Sequence, residues 1–220
     1  MLTADEFAGL FRKIKKSVKN SSAPVIDLIA ASEGSPYTIL TATILSARTK
    51  DEVTARAAER LFRIAPTLRA LSKLSSSEIE QLIYPVGFYR VKSRALKKLP
   101  EVIDKLYNGK IPDTIDGLLT LPGVGRKTAN LTVSRAFKKP GICVDIHVHR
   151  IMNRIGYVRT RNPFETETAL RAKLPRRYWS DVNTVFVMFG QKICRPVSPH
   201  CVTCIMNGIF SSCQYLICIE

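Results

Sequence analysis

The sequence contains few features of sheet, membrane or secreted proteins. Alternating apolar and polar segments are almost absent, and only Ile142 to Val144 could be extended, which is too short and isolated to build a sheet. No early apolar run is long enough for a signal peptide or a membrane span, because the first segment is polar and soon turns basic. We therefore predict an all-α, intracellular protein, in the cytoplasm or nucleoid of a prokaryote, with no membrane partner.

Acidic residues are also scarce, because 18 Asp and Glu face 34 Lys and Arg and leave a formal net charge of +16. A charge of this size favours a polyanionic partner, since each phosphate neutralised by Lys or Arg releases condensed counterions. Nucleic acid is the first candidate, although membrane surfaces and ribosomes also attract basic proteins. The 220 residues suffice for one large domain or two small ones, and neither a low-complexity linker nor an internal repeat marks a boundary.

The apolar residues follow a helical spacing nearly throughout. In the first segment, apolar side chains fall at steps of three and four residues, at Phe7, Leu10, Phe11, Ile14 and Val18. Capping residues mark the beginnings of helices at Thr3 with Glu6, Ser35, Asp51, Ser75 with Glu78, and Asn162 with Glu165. Asn108-Gly109 and Gly156 predict helix ends, where a left-handed residue suits Asn or Gly.

Cysteine is almost confined to the carboxyl-terminal segment, since only Cys143 lies before position 194. Disulfide frameworks are rare inside cells, so this clustering predicts a metal site. Cys194, Cys201 and Cys204 are separated by six and then by two residues. We interpret Cys143 and Cys218 as packing residues.

Residues 114–130 combine two helical segments with a Pro/Gly turn, which predicts a helix-hairpin-helix motif. We expect Gly123 and Gly125 to supply backbone conformations that a side chain would forbid, and to let the loop approach another backbone closely. The N–H groups at the mouth of the second helix, beside Arg126, would face a phosphate, and the helix dipole adds partial positive charge. Such a motif binds the DNA backbone and not its bases. An ordinary tight turn between helices is the alternative.

The stretch Leu-Pro-Gly-Val-Gly-Arg-Lys-Thr-Ala-Asn at 121–130, with Val-Asp-Ile-His-Val-His-Arg at 144–150, resembles the endonuclease III family of DNA glycosylase/AP lyases. The resemblance implies that Lys127 is the catalytic nucleophile and that Asp145 is its catalytic partner. An amine suits this chemistry because it can attack the sugar C1′ and then form a Schiff base. The alternatives are a phosphate contact for Lys127 and a helix N-cap for Asp145, a role that can coexist with catalysis.

In this family four cysteines hold a [4Fe–4S] cluster, and the resemblance implies the same cofactor and ligand role for Cys194, Cys201 and Cys204. The family leaves five residues before its fourth cysteine, but that position is Phe210 here. We predict that Cys213 is the fourth ligand, after an insertion of three residues, and Cys218 is the second candidate. Zinc could use the same thiolates.

Two loops resemble family segments that enter the DNA groove. Residues 45–51 carry Arg48 where glutamine is common, and residues 87–92 carry Phe88 where leucine is common. Phe88 could wedge between bases when the damaged nucleotide is extruded, and Arg48 could hydrogen-bond the orphaned base. Core packing is the alternative for Phe88. A basic run could follow phosphates or form a solvated helix face: Arg90, Lys92, Arg94, Lys97 and Lys98.

The resemblance covers roughly residues 23–204 and implies two helical lobes. Residues 23–138 would form a six-helix domain with the helix-hairpin-helix motif, and 1–22 with 139–220 a discontinuous helical domain with the iron–sulfur cluster loop at 194–213. The implied function is a monomeric base-excision-repair glycosylase with AP lyase activity, acting on double-stranded DNA with a damaged base, expected to be an oxidised pyrimidine, or an abasic site. The alternatives are a mismatch-specific thymine or uracil DNA glycosylase, whose relatives usually lack the lysine, and a non-catalytic helix-hairpin-helix DNA-binding module.

Overall fold

The computed structural model describes residues 2–19, 23–32, 34–207 and Cys213, and in this part of the chain the regular structure is helical without any strand. The prediction of an all-α fold is therefore confirmed. A 3-10 turn at Arg176–Tyr178 precedes the last helix. The twelve α-helices of the described residues are α1 (Ala4–Ser17), α2 (Val25–Ala31), α3 (Pro36–Ser46), α4 (Asp51–Ile64), α5 (Leu68–Lys73), α6 (Ser76–Ile83), α7 (Tyr89–Tyr107), α8 (Ile115–Leu119), α9 (Arg126–Ala136), α10 (Ile146–Arg154), α11 (Pro163–Lys173) and α12 (Trp179–Lys192). Within these ranges, no helix is both long enough and apolar enough to span a bilayer.

One compact unit comprises Pro24–Lys139 and contains α2 to α9. Its central element is α3, in which every residue from Ile39 to Leu45 is buried. A helix that is apolar around its whole circumference belongs in a core, and α3 contacts α2, α4, α7 and α9. The loop that carries Arg48 begins where this buried helix ends, at Ser46.

The second compact unit comprises Met1–Ala23 with Pro140–Glu220. The apolar face predicted for α1 is confirmed, since all five of its side chains are buried against the core of this unit. Phe7 lies 4.5 Å from Tyr157 between ring centroids, and Phe11 lies 5.9 Å from Phe186. Full burial of a phenylalanine contributes about 1.5–3 kcal/mol relative to exposure, so these two rings hold α1 to the carboxyl-terminal helices.

Most of the helix ends predicted from sequence are confirmed. N-caps are present at Thr3, Ser35, Ser75 and Asn162, and left-handed residues at Asn108, Gly109 and Gly156. The N-cap predicted at Asp51 is wrong, because α4 begins at Asp51 itself and its N-cap is Lys50. The Asp51 carboxylate instead accepts a hydrogen bond of 3.1 Å from the N–H of Val25, so a contact distant in sequence replaced the local one.

Candidate functional site

The predicted helix-hairpin-helix motif consists of α8, a tight turn and α9. Thr114 caps α8, since its hydroxyl accepts a hydrogen bond of 3.2 Å from the N–H of Gly117. Gly123 in the turn has a left-handed φ of 77°, and a Cβ at this residue would lie 3.0 Å from the Cβ of Ala95. Both the backbone conformation and the close packing therefore require glycine at this position.

Gly125 does not have the conformational role that we expected. Its φ is −99°, which any residue adopts, and a Cβ there would meet nothing within 4 Å. Gly125 is the N-cap residue of α9, and no side chain caps this helix. A glycine at this exposed position places no side chain over the amino-terminal end of α9, where backbone N–H groups and the helix dipole favour an anion.

Lys127 is the second residue of α9, and both Lys127 and Arg126 are exposed. The rest of the helix is anchored, because every residue from Thr128 to Ser134 is buried. The helix packs against α3, and the Asn130 amide donates a hydrogen bond of 3.0 Å to the carbonyl of Arg126. The candidate nucleophile is thus carried on the first turn of a deeply packed helix.

Asp145 is the N-cap residue of α10, in the unit formed by Met1–Ala23 and Pro140–Glu220. Its Oδ1 accepts hydrogen bonds from the N–H groups of His147 and Val148, at 2.9 and 3.0 Å. Only 7% of the residue is exposed. The predicted capping role is confirmed, and it fixes the direction of the carboxylate.

Two further residues hold α10 against α12, and sequence reasoning did not single them out. The guanidinium of Arg150 donates to the carbonyls of Gly190 and Cys194, at 3.1 and 2.8 Å. A Cβ on Gly190 would clash with the imidazole of His147, so the two helices can approach only at a glycine. The close approach of two helices distant in sequence leaves no local signal at Gly190.

The two predicted groove residues, Arg48 and Phe88, lie side by side. The guanidinium carbon of Arg48 is 5.4 Å from the centroid of the Phe88 ring. Core packing is the wrong interpretation for Phe88, because 60% of it is exposed. Both residues have left-handed backbones, with φ of 53° and 57°, a conformation that is uncommon outside glycine and that clusters at binding sites.

Lys92 does not belong to a solvated basic face, because only 8% of it is exposed. Its ammonium donates hydrogen bonds of 2.8 and 2.6 Å to the carbonyls of Leu45 and Ala47. A third bond, of 3.2 Å, reaches the hydroxyl of Thr49. Burial lowers the pKa of Lys92 to about 8. The other residues of the predicted basic run are exposed or half-buried on α7.

Four cysteines line one recess in the second unit, and all four belong to the predicted ligand set: Cys194, Cys201, Cys204 and Cys213. The recess is partly open to solvent. No group of three or more His, Cys, Asp or Glu among the described residues is arranged to hold a metal ion. The alternative ligand Cys218 and the position of Phe210 lie outside the described residues.

The donor set fits an iron–sulfur cluster, because thiolates are its usual ligands and four cysteines line one recess. Burial raises the pKa of Cys204 to about 11 and also raises that of Cys201, so iron must displace protons when it binds. Arg154 approaches the same recess and donates a hydrogen bond of 3.3 Å to the sulfur of Cys194. Cys143 is buried, as we expected of a packing residue.

Known proteins share both this sequence and this fold. Residues 41–176 match the HhH-GPD superfamily of base excision DNA repair proteins. Endonuclease III of Thermotoga maritima is 43% identical over 176 residues, which are 80% of this chain and 83% of that protein. Endonuclease III-like protein 1 of Gallus gallus is 38% identical over 208 residues, or 90% of this chain and 74% of that protein.

The fold agrees with these sequence matches. A solved structure of a trapped endonuclease III–DNA covalent intermediate superposes with a TM-score of 0.86 at 32% identity, and the match covers 99% of this chain and 100% of that chain. Related proteins occur in bacteria, plants and animals, so the similarity does not restrict the chain to a prokaryote. The chain therefore belongs to the HhH-GPD superfamily of base excision DNA repair proteins, as a member of its endonuclease III family.

Proposed function

We propose that this member of the endonuclease III family removes oxidised pyrimidines from double-stranded DNA and cuts the strand at the resulting abasic site, with Lys127 as the nucleophile. Its family makes the chain a DNA glycosylase with AP lyase activity. The observation that carries the residue assignment is an exposed lysine on the first turn of the second hairpin helix, directly after Gly125 and Arg126.

In the proposed reaction the amine of Lys127 attacks C1′ of the damaged nucleotide, while the C1′–N bond breaks and its electron pair leaves with the base. Opening of the sugar ring then gives a Schiff base, which acidifies C2′. Loss of a C2′ proton expels the 3′ phosphate and cuts the strand. An ammonium has no electron pair for the attack, and the positive end of the α9 dipole disfavours a cation at this position.

Asp145 supplies the negative charge in this proposal. The sugar develops positive charge as the base departs, and a fixed carboxylate stabilises that charge without having to reorganise. Two backbone N–H groups already orient Oδ1 of Asp145, and the residue is almost fully buried.

Arg48 and Phe88 would act on the duplex itself. A glycosylase reaches C1′ only after the nucleotide leaves the base stack, so the gap has to be filled. The exposed ring of Phe88 suits an apolar wedge, and the guanidinium beside it suits a hydrogen bond to the orphaned base.

We propose that Cys194, Cys201, Cys204 and Cys213 hold a [4Fe–4S] cluster with a structural role. When bound, the cluster would cross-link the segments that carry its ligands. Arg154 already ties this loop to α10, because its guanidinium donates to the sulfur of Cys194 and to the carbonyls of Arg195 and Pro196. The loop would then present its basic residues, such as Arg195, to DNA.

The partner in this proposal is duplex DNA, bound by a protein that acts as a monomer. The net charge of +16 and the uncapped amino end of α9 both favour phosphate. Gly123 shapes the turn, Gly125 leaves the helix end uncovered, and Arg126 adds a cation beside it. An enzyme that acts on chromosomal DNA would be found in the compartment that contains the DNA, which in a prokaryote is the nucleoid.

A trapping experiment tests the assignment. Borohydride added to the protein and an abasic-site duplex should give a covalent adduct, since it reduces the Schiff base to a stable amine. Lys127→Ala should give none, whereas Lys105→Ala, which removes an exposed lysine from the last turn of α7, should trap like the original protein. Trapping by Lys127→Ala would mean that another amine is the nucleophile. An untrapped original protein that still removes a base would favour the mismatch-specific glycosylase, and one that only binds would favour the non-catalytic module.

A further inference from the structure

Lys92 lies in a place where a charge is costly, and the proposed chemistry does not use it. Its side chain is buried, and three acceptors surround its ammonium, one for each proton. All three belong to the segment that runs from the end of α3 into the Arg48 loop. An amine whose protons are all donated in this way cannot also attack a sugar.

The same segment contacts the beginning of α7 at a second point. The N–H of Gly87 donates a hydrogen bond of 3.1 Å to the hydroxyl of Thr49, which also accepts from Lys92. A Cβ on Gly87 would clash with the carbonyl oxygen of Arg48, so the two backbones touch here. The loops that carry Arg48 and Phe88 are therefore joined through one hydroxyl and one ammonium.

The exposed pair cannot hold this arrangement by itself. A cation–π contact at an exposed site is weak, and the conformational cost of holding a residue in a sparsely populated backbone region is larger. Arg48 and Phe88 are both left-handed. Hydrogen bonds from a charged group are stronger than those between neutral groups, so the three that Lys92 donates can offset this strain.

We propose that Lys92 is a positioning residue, which holds residues 47–50 against the start of α7 so that Arg48 and Phe88 enter duplex DNA as one rigid pair. The inference rests on the proposed function, because it assigns that pair to base extrusion. The need to fix the position of residues 47–50 explains why a buried charge is retained here in spite of its desolvation cost. Arginine could not replace Lys92, since the planar guanidinium group does not match three acceptors arranged around one nitrogen.

The test compares Lys92→Met with Lys105→Met. Both variants remove one positive charge from α7, but Lys105 is exposed. The first substrate is a duplex with thymine glycol beside 2-aminopurine, whose fluorescence rises when the neighbouring base leaves the stack; the second is an abasic-site duplex. For Lys92→Met we expect the fluorescence rise to be lost and single-turnover base removal to fall at least about tenfold, while borohydride trapping at the abasic site stays within about threefold. Lys105→Met should behave like the original protein in each measurement.

A double-mutant cycle separates positioning from general damage. If Lys92 acts through Arg48, then Lys92→Met should have much less effect in an Arg48→Ala background than alone, whereas independent effects would multiply and would overturn the inference. Unchanged fluorescence and base removal in Lys92→Met would overturn it as well. Failure of the original protein to trap on abasic DNA would count against the proposed function itself.

A second variant keeps the inference testable if Lys92→Met does not fold by circular dichroism. Thr49→Val removes the hydroxyl that links Lys92 to Gly87 and preserves the shape of the side chain. Its base removal should fall by about three- to tenfold with the same loss of fluorescence. A fully active, folded Thr49→Val would contradict the role of the joined loops.

Discussion

Raising the pH should stabilise the unit Pro24–Lys139 through Lys92 and at the same time weaken its action on a duplex. Burial lowers the pKa of Lys92 to about 8, whereas a lysine in an unfolded chain titrates near 10.4. Between these values the unfolded chain binds more protons than the folded chain, so the free energy of unfolding rises with pH. This contribution is fully present above the unfolded value and is lost as the pH falls through about 8.

The gap between the two pKa values corresponds to at most about 3 kcal/mol of unfolding free energy. The three acceptors around the ammonium stabilise the charged form, so we expect a net rise of about 1–2 kcal/mol. Deprotonation of Lys92 should raise stability but lower the rate of base removal. An uncharged amine has two N–H donors for three acceptors, and the Arg48 loop loses one of its bonds.

Urea unfolding of the original protein and of Lys92→Met, followed by circular dichroism between about pH 7 and pH 9.5, isolates this contribution as a difference. Titration of the groups that both proteins share cancels in this difference. The original protein should gain about 1–2 kcal/mol relative to Lys92→Met as the pH rises, while its base removal from a duplex falls. A difference that stays constant, or that changes in the opposite direction, would refute the titration of Lys92.

Three further predictions concern the cysteines, the carboxylate and the phosphate contacts. Cys213→Ser should lose the brown colour and the expected content of about four iron atoms per chain, whereas Cys143→Ser should keep both. If Cys218→Ser loses the iron and Cys213→Ser keeps it, Cys218 is the fourth ligand. Asp145→Asn should depress base removal by orders of magnitude with its cap retained, and Asp145→Ala should also lower the free energy of unfolding by about 1 kcal/mol; a fully active Asp145→Asn would reject the electrostatic role. Affinity for undamaged duplex, measured by fluorescence anisotropy, should fall steeply with salt, and a flat response would contradict a phosphate interface.

Elements that depend on nearby residues could be predicted from the sequence. The face of α1 and its capping box need only residues within one or two turns of each other, and both are present. The same is true of the hairpin turn at Gly123, where the backbone requires glycine. Asp145 could be predicted as a cap because an N-cap bonds only the next two or three N–H groups.

Predictions were wrong where a distant contact decides the outcome. Asp51 bonds the amino end of α2 and leaves the capping position to Lys50. The sequence did indicate that Lys92 is buried, because it occupies the same helical face as the buried Leu96 and Leu99 of α7. Its positive charge led us to group it with the exposed basic residues. A lysine at an apolar position of a helix therefore indicates a buried amine more than a phosphate contact. The partners of such an amine, the carbonyls that end α3, could be found only from the structure.

The two proposed catalytic groups share one feature of the backbone, although they belong to different units. Lys127 lies on the first turn of α9, and Asp145 caps the first turn of α10. The amino end of a helix favours an anion and disfavours a cation by about 0.3–1 kcal/mol each. The proposed reaction requires a carboxylate that keeps its charge and an amine that gives its charge up, so the same end of a helix suits both. Because this effect comes from backbone N–H groups, it needs no additional charged side chain that would compete with DNA phosphates for the site.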